Sequence, residues 1–246
     1  MCIRDRLSNF SQLMPEGVYK DGDKVWALDM GYWALGMLYN KDKVKTPPTS
    51  WADLWKPEYA GKVTIPAPAT TSGLPLLVQI AKMNGGGLDN IDPGFATVKK
   101  LKVAAYFDSS GAASNLFQSG EVIIGAHYGG PSWAMVDQGL PLVFVAPKEG
   151  ALAADSRWHL VSGTKNVDLA HKFLDMAISA EAQKGIAEDL YVAPVNKNVQ
   201  LSDKAKQRMP FGPNGSVKDL SFPDFAAINK NRSAWNDRWS KEIANK

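Results

Sequence analysis

From Lys62 to Ala146 short apolar runs alternate with helical stretches, and this alternation constrains the fold more than any other feature of the chain. Lys62–Pro66, Val103–Phe107, Glu121–His127 and Leu142–Ala146 read as strands. The segments between them read as helices: an apolar one ending near Met83, an amphipathic one from Pro93 to Lys102, then Ser110–Gln118 and Pro131–Gln138. Gly85, Gly86 and Gly87 stop the first, and Pro131 suits the opening position of the last. Regular alternation of this kind predicts an α/β architecture with largely parallel sheets.

Outside that region the pattern is less regular. Val25 to Asn40 is apolar and aromatic, and Gly31 and Gly36 punctuate it into two short buried strands. Ser50 caps a short helix, Trp51–Trp55, which Lys56 and Pro57 end. Trp158–Val161 reads as a strand, Val167–Ile178 and Ala180–Leu190 as helices, and Asn231–Ala244 as a last helix with Trp235 and Trp239 at four-residue spacing. Ser202–Ser221 is polar and rich in Gly and Pro, and no repeat of solenoid or propeller length is visible. Met1 to Arg6 fits neither a helix nor a strand and is expected to be non-native, leaving a chain whose natural N-terminal portion is absent.

Several function classes are excluded. With 28 Lys+Arg against 25 Asp+Glu the formal charge is only +3 and is evenly spread, which gives no electrostatic footprint for nucleic acid or a membrane surface. The single cysteine, Cys2, rules out an intrachain disulfide and a cysteine-based zinc site. There is no apolar stretch of membrane-spanning length and no signal peptide in this chain. No GxSxG elbow, P-loop, GxGxxG after a strand or HExxH occurs, and Gly85–Gly87 follows a helix, where it cannot cradle a phosphate. His127, His159 and His171 lack a second ligand at metal spacing and read as structural.

Binding leaves more trace. Thr70, Thr71 and Ser72 lie between a strand end and a helix start, where hydroxyls and unpaired amides meet the positive end of a helix dipole; an ordinary N-cap explains them equally well. Tyr128-Gly129-Gly130-Pro131-Ser132-Trp133 repeats the geometry at another strand end, and ligands of open α/β sheets bind at the carboxyl ends of strands. Trp26, Trp33, Trp133 and Trp158 fall at strand ends or junctions, whereas Trp51, Trp55, Trp235 and Trp239 read as helix packing.

Three segments carry a family resemblance: Thr49-Ser50-Trp51-Ala52-Asp53-Leu54-Trp55-Lys56-Pro57-Glu58-Tyr59-Ala60-Gly61-Lys62; Pro147-Lys148-Glu149-Gly150; and Asn166 to Asn196 with its Ala-Glu-Ala-Gln and Tyr-x-x-Pro-x-Asn patterns. In this order they resemble the substrate-binding proteins of ABC importers, in particular the spermidine/putrescine-binding group, over roughly residues 8 to 246. The resemblance implies a two-lobe periplasmic-binding-protein fold, type II-like, with a ligand cleft between the lobes and the first strands of lobe 1 missing. Lobe 1 is expected at residues 1–43 and 148–194 and lobe 2 at 44–147 and 195–246. It further implies a monomeric periplasmic receptor, peripheral to the membrane, without cofactor or metal, that closes on a small solute and hands it to a permease and its ATPase.

By position, the family's cleft residues fall on Asp29, Tyr32 and Trp33, on Thr70, Thr71 and Ser72, on Tyr128 and Trp133, and on Asp155. Two departures bear on the ligand. Polyamine binders hold ammonium groups with acids and an aromatic box, but the relevant turn here is Thr70-Thr71-Ser72. The family's Trp before the Asp is replaced by Ala153-Ala154, leaving Asp155 as the amine partner. The tyrosine pair of ferric-ion binders is also lacking, since Gly129 follows Tyr128. A polyamine, another amine, an amino-acid-like solute or an organic anion all remain as ligands. The alternatives are an enzyme, a transferase or lyase, on the same scaffold, and the ligand-sensing module of a receptor.

Overall fold

The computed structural model describes residues 6–212 and 214–244. Met1 to Asp5, including Cys2 and most of the stretch expected to be non-native, lie outside the described residues. In chain order the strands are β1 Val18–Asp21, β2 Lys24–Asn40, β3 Val63–Pro66, β4 Val103–Phe107, β5 Ile124–Tyr128, β6 Leu142–Val145 and β7 Leu152–Trp158. The α-helices are α1 Gly73–Met83, α2 Asp92–Val98, α3 Ser110–Ser119, α4 Gly129–Asp137, α5 Val167–Ala177, α6 Ala180–Leu190, α7 Asp203–Arg208 and α8 Phe225–Trp239, which passes into a π-helical turn, Ser240–Ala244.

The chain divides into two compact units, one of residues 1–34 and 153–220, the other of residues 35–152 and 221–246. Its divisions fall at 34/35, 152/153 and 220/221, and the partition expected from sequence has 43/44, 147/148 and 194/195, so the last comes later in the chain. Hydrogen bonding accounts for the later division. Val195 and Asn196 donate their amides to Gln183, and Lys197 donates its amide to the Gln12 carbonyl, so the chain past Pro194 stays with the first unit.

In the first unit β1 and the first half of β2 form an antiparallel hairpin, Asp21 opposite Lys24, turned by Gly22 and Asp23. β7 also pairs with β2. Around them are buried Leu28, Tyr32 and Ala193, with Leu174 and Ala187 from α5 and α6.

In the second unit β3 lies between β4 and β5 and runs parallel to both, while the second half of β2 runs antiparallel to β5 and β6. The pairing is therefore mixed, which corrects the expectation of largely parallel sheets. β3, β4, β5 and β6 follow one another through helical connections and share one direction, and β2 reaches its neighbours β5 and β6 in the opposite sense. The core gathers Trp51, Phe95, Phe107 and Leu74 with Trp235 and Trp239. Arg238 anchors the last helix, donating to Asp92 and Glu242 and lying 4.2 Å over the Phe95 ring.

Two elements differ from the sequence reading. β2 is one 17-residue strand, where two short ones are expected. Its glycines admit neighbouring chain instead of breaking the strand: a Cβ on Gly31 would lie 2.7 Å from the Ala193 carbonyl oxygen, and one on Gly36 2.5 Å from Phe144. The strand expected at Trp158–Val161 instead occupies Leu152–Trp158, because Ala151 to Ala154 are buried small apolar residues that read from sequence as a connection.

Candidate functional site

The second unit presents one edge where three strands end. Because β4, β3 and β5 are parallel neighbours, their carboxyl ends point the same way, and α3, α1 and α4 each begin there. The Thr70–Ser72 turn follows β3 and Tyr128 ends β5, so these nominated residues sit on adjacent strand ends. Thr70 is buried and its hydroxyl donates to the Ala67 carbonyl at 2.9 Å; Ser72 is buried and Thr71 exposed. No side chain of the turn caps α1, so the N-cap reading does not hold there, in contrast to Ser109, whose hydroxyl accepts the Ala112 amide of α3. Trp133 lies in the second turn of α4, edge-on to Phe144 at 5.8 Å.

Behind Tyr128, His127 is fully buried and stacks on Phe117. Its Nδ1 accepts the Tyr128 amide at 2.8 Å, so the neutral ring carries its proton on Nε2, 3.0 Å from Ser114 Oγ, which donates onward to the Ser110 carbonyl. Burial pulls the imidazole pKa down to about 4. The histidine therefore fixes the end of β5 as a neutral hydrogen-bonding group. A third strand end, Asp108 and Ser109 after β4, went unnominated although its position is readable from the strand-to-helix alternation.

The first unit gathers the other nominated residues. Asp29 is fully buried, its Oδ1 accepting the Gly31 amide at 2.9 Å. Burial first, and then the charge of Asp155, raise its carboxyl pKa to about 7. Tyr32 is buried and pairs with Ala193 through both backbone groups. Trp33 donates its indole N–H to Ser156 Oγ at 3.2 Å. Asp155 is not a bare carboxylate: its Oδ2 accepts the Tyr19 hydroxyl and, at 2.9 and 2.7 Å, Nε and Nη2 of Arg157. The Arg157 guanidinium lies 3.6 Å above the Tyr19 ring. Burial first, and the bond to Asp155 next, push the Tyr19 hydroxyl above the usual phenol range. Tyr19 and Arg157 were missed because the first sits on a strand too short to show a period and the second in chain read as loop.

The resembling segments have physical work in this arrangement. Glu149 accepts the Ser50 hydroxyl at 2.5 Å and the Trp51 amide at 3.2 Å, while Trp51 Nε1 donates to the Gly150 carbonyl, so the first two segments meet in the second unit. In the first unit Gln183, from the Ala-Glu-Ala-Gln stretch, accepts the Val195 and Asn196 amides at 2.8 Å, and Asn196 Nδ2 donates to Ile178. That staple closes the Tyr-x-x-Pro-x-Asn turn beside Ala193, which holds Tyr32.

A family model described as bacterial extracellular solute-binding protein matches residues 5–231. The chain belongs to that family. The spermidine/putrescine-binding periplasmic protein of Escherichia coli is 29% identical over 198 residues, 76% of this chain and 55% of the relative. The gamma-aminobutyric acid-binding protein of Pseudomonas aeruginosa is 29% identical over 196 residues, 74% of this chain and 54% of the relative. The chain thus spans about half the length of the curated relatives it matches. Among solved structures, an ABC transporter protein from Clostridium perfringens superposes with a TM-score of 0.77 at 25% identity, covering 97% of this chain and 76% of the other. Membership supports the α/β binding-protein fold, and these relatives are named for binding and transport.

Proposed function

We propose that the chain acts as the solute receptor of an ABC importer, capturing a small polar molecule without chemical change and delivering it to a permease and its ATPase. The family match over residues 5–231 carries this reading. The two clusters support it: Asp29, Tyr32, Trp33 and Asp155 in one unit and Thr70, Thr71, Ser72, Tyr128 and Trp133 in the other supply charge, hydroxyls and aromatic faces, the mixture that small-molecule sites use. In this reading the receptor is a periplasmic monomer; the periplasmic part draws support from a relative at 29% identity named for periplasmic polyamine binding.

The test is a thermal-shift and tryptophan-fluorescence screen against polyamines, amino acids, organic acids and sugars. A receptor gains about 2.7 kcal/mol at a ligand concentration a hundredfold above Kd, and the ligand is recovered unchanged. A stabilising ligand that is consumed turns the assignment to the enzyme alternative.

A further inference from the structure

We infer that Arg157 is a specificity-determining residue and that the solute carries an α-amino-acid head group, its ammonium on Asp155 and its carboxylate on Arg157. This rests on the receptor reading and narrows its ligand. The argument starts from how Asp155 is engaged. All three of its hydrogen bonds, from the Tyr19 hydroxyl and from Nε and Nη2 of Arg157, fall on Oδ2, and Oδ1 takes no part in them. The Asp155 side chain keeps 12% of its exposure and Arg157 40%. Arg157 in turn spends one edge of its guanidinium on Asp155, and the Nη1 edge of the fork is outside that pair. The Tyr19 face 3.6 Å from the guanidinium holds its plane.

An acid and a base in contact, each with one side outside their mutual pair, match a ligand whose own base and acid are adjacent. An ammonium and a carboxylate on one carbon meet that description, and a planar fork is the geometry a carboxylate takes in pairs. A polyamine does not fit as well. Its two or three ammonium groups need uncompensated acids, and Asp155 is already balanced by Arg157. Asp29 is fully buried, its carboxyl already accepting the Gly31 amide, and the Thr70–Ser72 turn offers hydroxyls instead of carboxylates.

The experiment is calorimetric titration of the 246-residue chain with matched sets: α-amino acids, the amines left by removing their carboxylate, the acids left by removing their amine, and di- and triamines beside them. The expected result is binding of an α-amino acid with both truncated analogues at least tenfold weaker. Arg157→Gln is expected to remove tenfold or more of the affinity for the amino acid while leaving the weak affinity for its amine, thereby erasing the preference. Arg157→Lys, which keeps the charge but not the fork, should fall between. Because Arg157 also packs on Tyr19, the thermal melt of each variant is recorded, and the reported quantity is the ratio of amino-acid to amine affinity, which a merely structural loss does not move. Tighter binding of a diamine, a triamine, a simple amine or a simple acid than of any amino acid overturns the inference and leaves the receptor reading intact. An unchanged ratio in both variants also overturns it. Binding of nothing in these classes overturns the inference, and silence in the wider screen as well overturns the receptor reading with it.

Discussion

Asp29 carries a folded-state pKa near 7 against the usual 3.8 because burial takes its carboxylate out of water and Asp155 adds a like charge. Its protonated form is favoured in the native state, so its contribution to stability is complete below pH ~4 and is lost as pH rises through 7. His127 acts in the opposite sense. Its ring is buried neutral with a pKa near 4 against 6.5, so its contribution is complete above pH 6.5 and is lost as pH falls through 4. At about 1.4 kcal/mol per pKa unit, Asp29 contributes on the order of 4 kcal/mol and His127 on the order of 3 kcal/mol across their windows. Between pH 4 and 6.5 the two slopes oppose. Asp29→Asn should therefore give melts whose midpoint rises more steeply with pH over that interval than the parent's; a variant with the parent's profile would refute the assignment of Asp29. The family resemblance put Asp29 among the expected site residues, but its depth was not readable from sequence, because desolvation depends on which chain segments close over a side chain.

At the scale of elements, two side chains satisfy backbone amides from distant segments. Glu149 receives Ser50 and the Trp51 amide at the start of the Trp51–Trp55 turn. Glu149→Ala leaves these donors unpaired and should cost about 1–3 kcal/mol, measured by urea unfolding, with the midpoint moving and the m-value unchanged. Gln183 receives two buried amides, those of Val195 and Asn196. Gln183→Leu strands both and should cost about 2–5 kcal/mol; a loss below about 0.5 kcal/mol would mean the turn re-forms without the staple. Sequence located α1, α3, α5 and α6 within a few residues, since their period and their stops are local. It divided β2 in two and displaced β7, since whether a glycine breaks a strand or admits Ala193 or Phe144 is settled by what lies across from it.

At the scale of the whole molecule the exposed large apolar side chains are unevenly shared. Trp26, Val161, Leu169, Phe173, Met176 and Leu190 belong to the first unit, and Phe222 to the second. Leu169, Phe173 and Met176 follow helical spacing along α5, with Leu169 67% and Met176 57% exposed, and Phe173 meets the Trp158 ring edge-on at 5.1 Å. Apolar surface gathered on one helix face binds hydrophobic dyes and promotes self-association. The triple change Leu169→Ser, Phe173→Ser, Met176→Ser should lower dye fluorescence; an unchanged dye signal would locate the exposed surface elsewhere.

The alternation of strand and helix, the cap at Ser50, the stops after α1 and the burial of Trp51, Trp235 and Trp239 follow from local period and side-chain chemistry, so the sequence by itself determined them. The strand-end position of Thr70 and Tyr128 was likewise readable, because a parallel sheet places every such end on one edge. Tertiary structure alone decided that β3 lies between β4 and β5, that Glu149 and Gln183 serve as staples, and that Asp155 meets Tyr19 and Arg157. These depend on contacts between segments far apart in the chain, which no local pattern encodes.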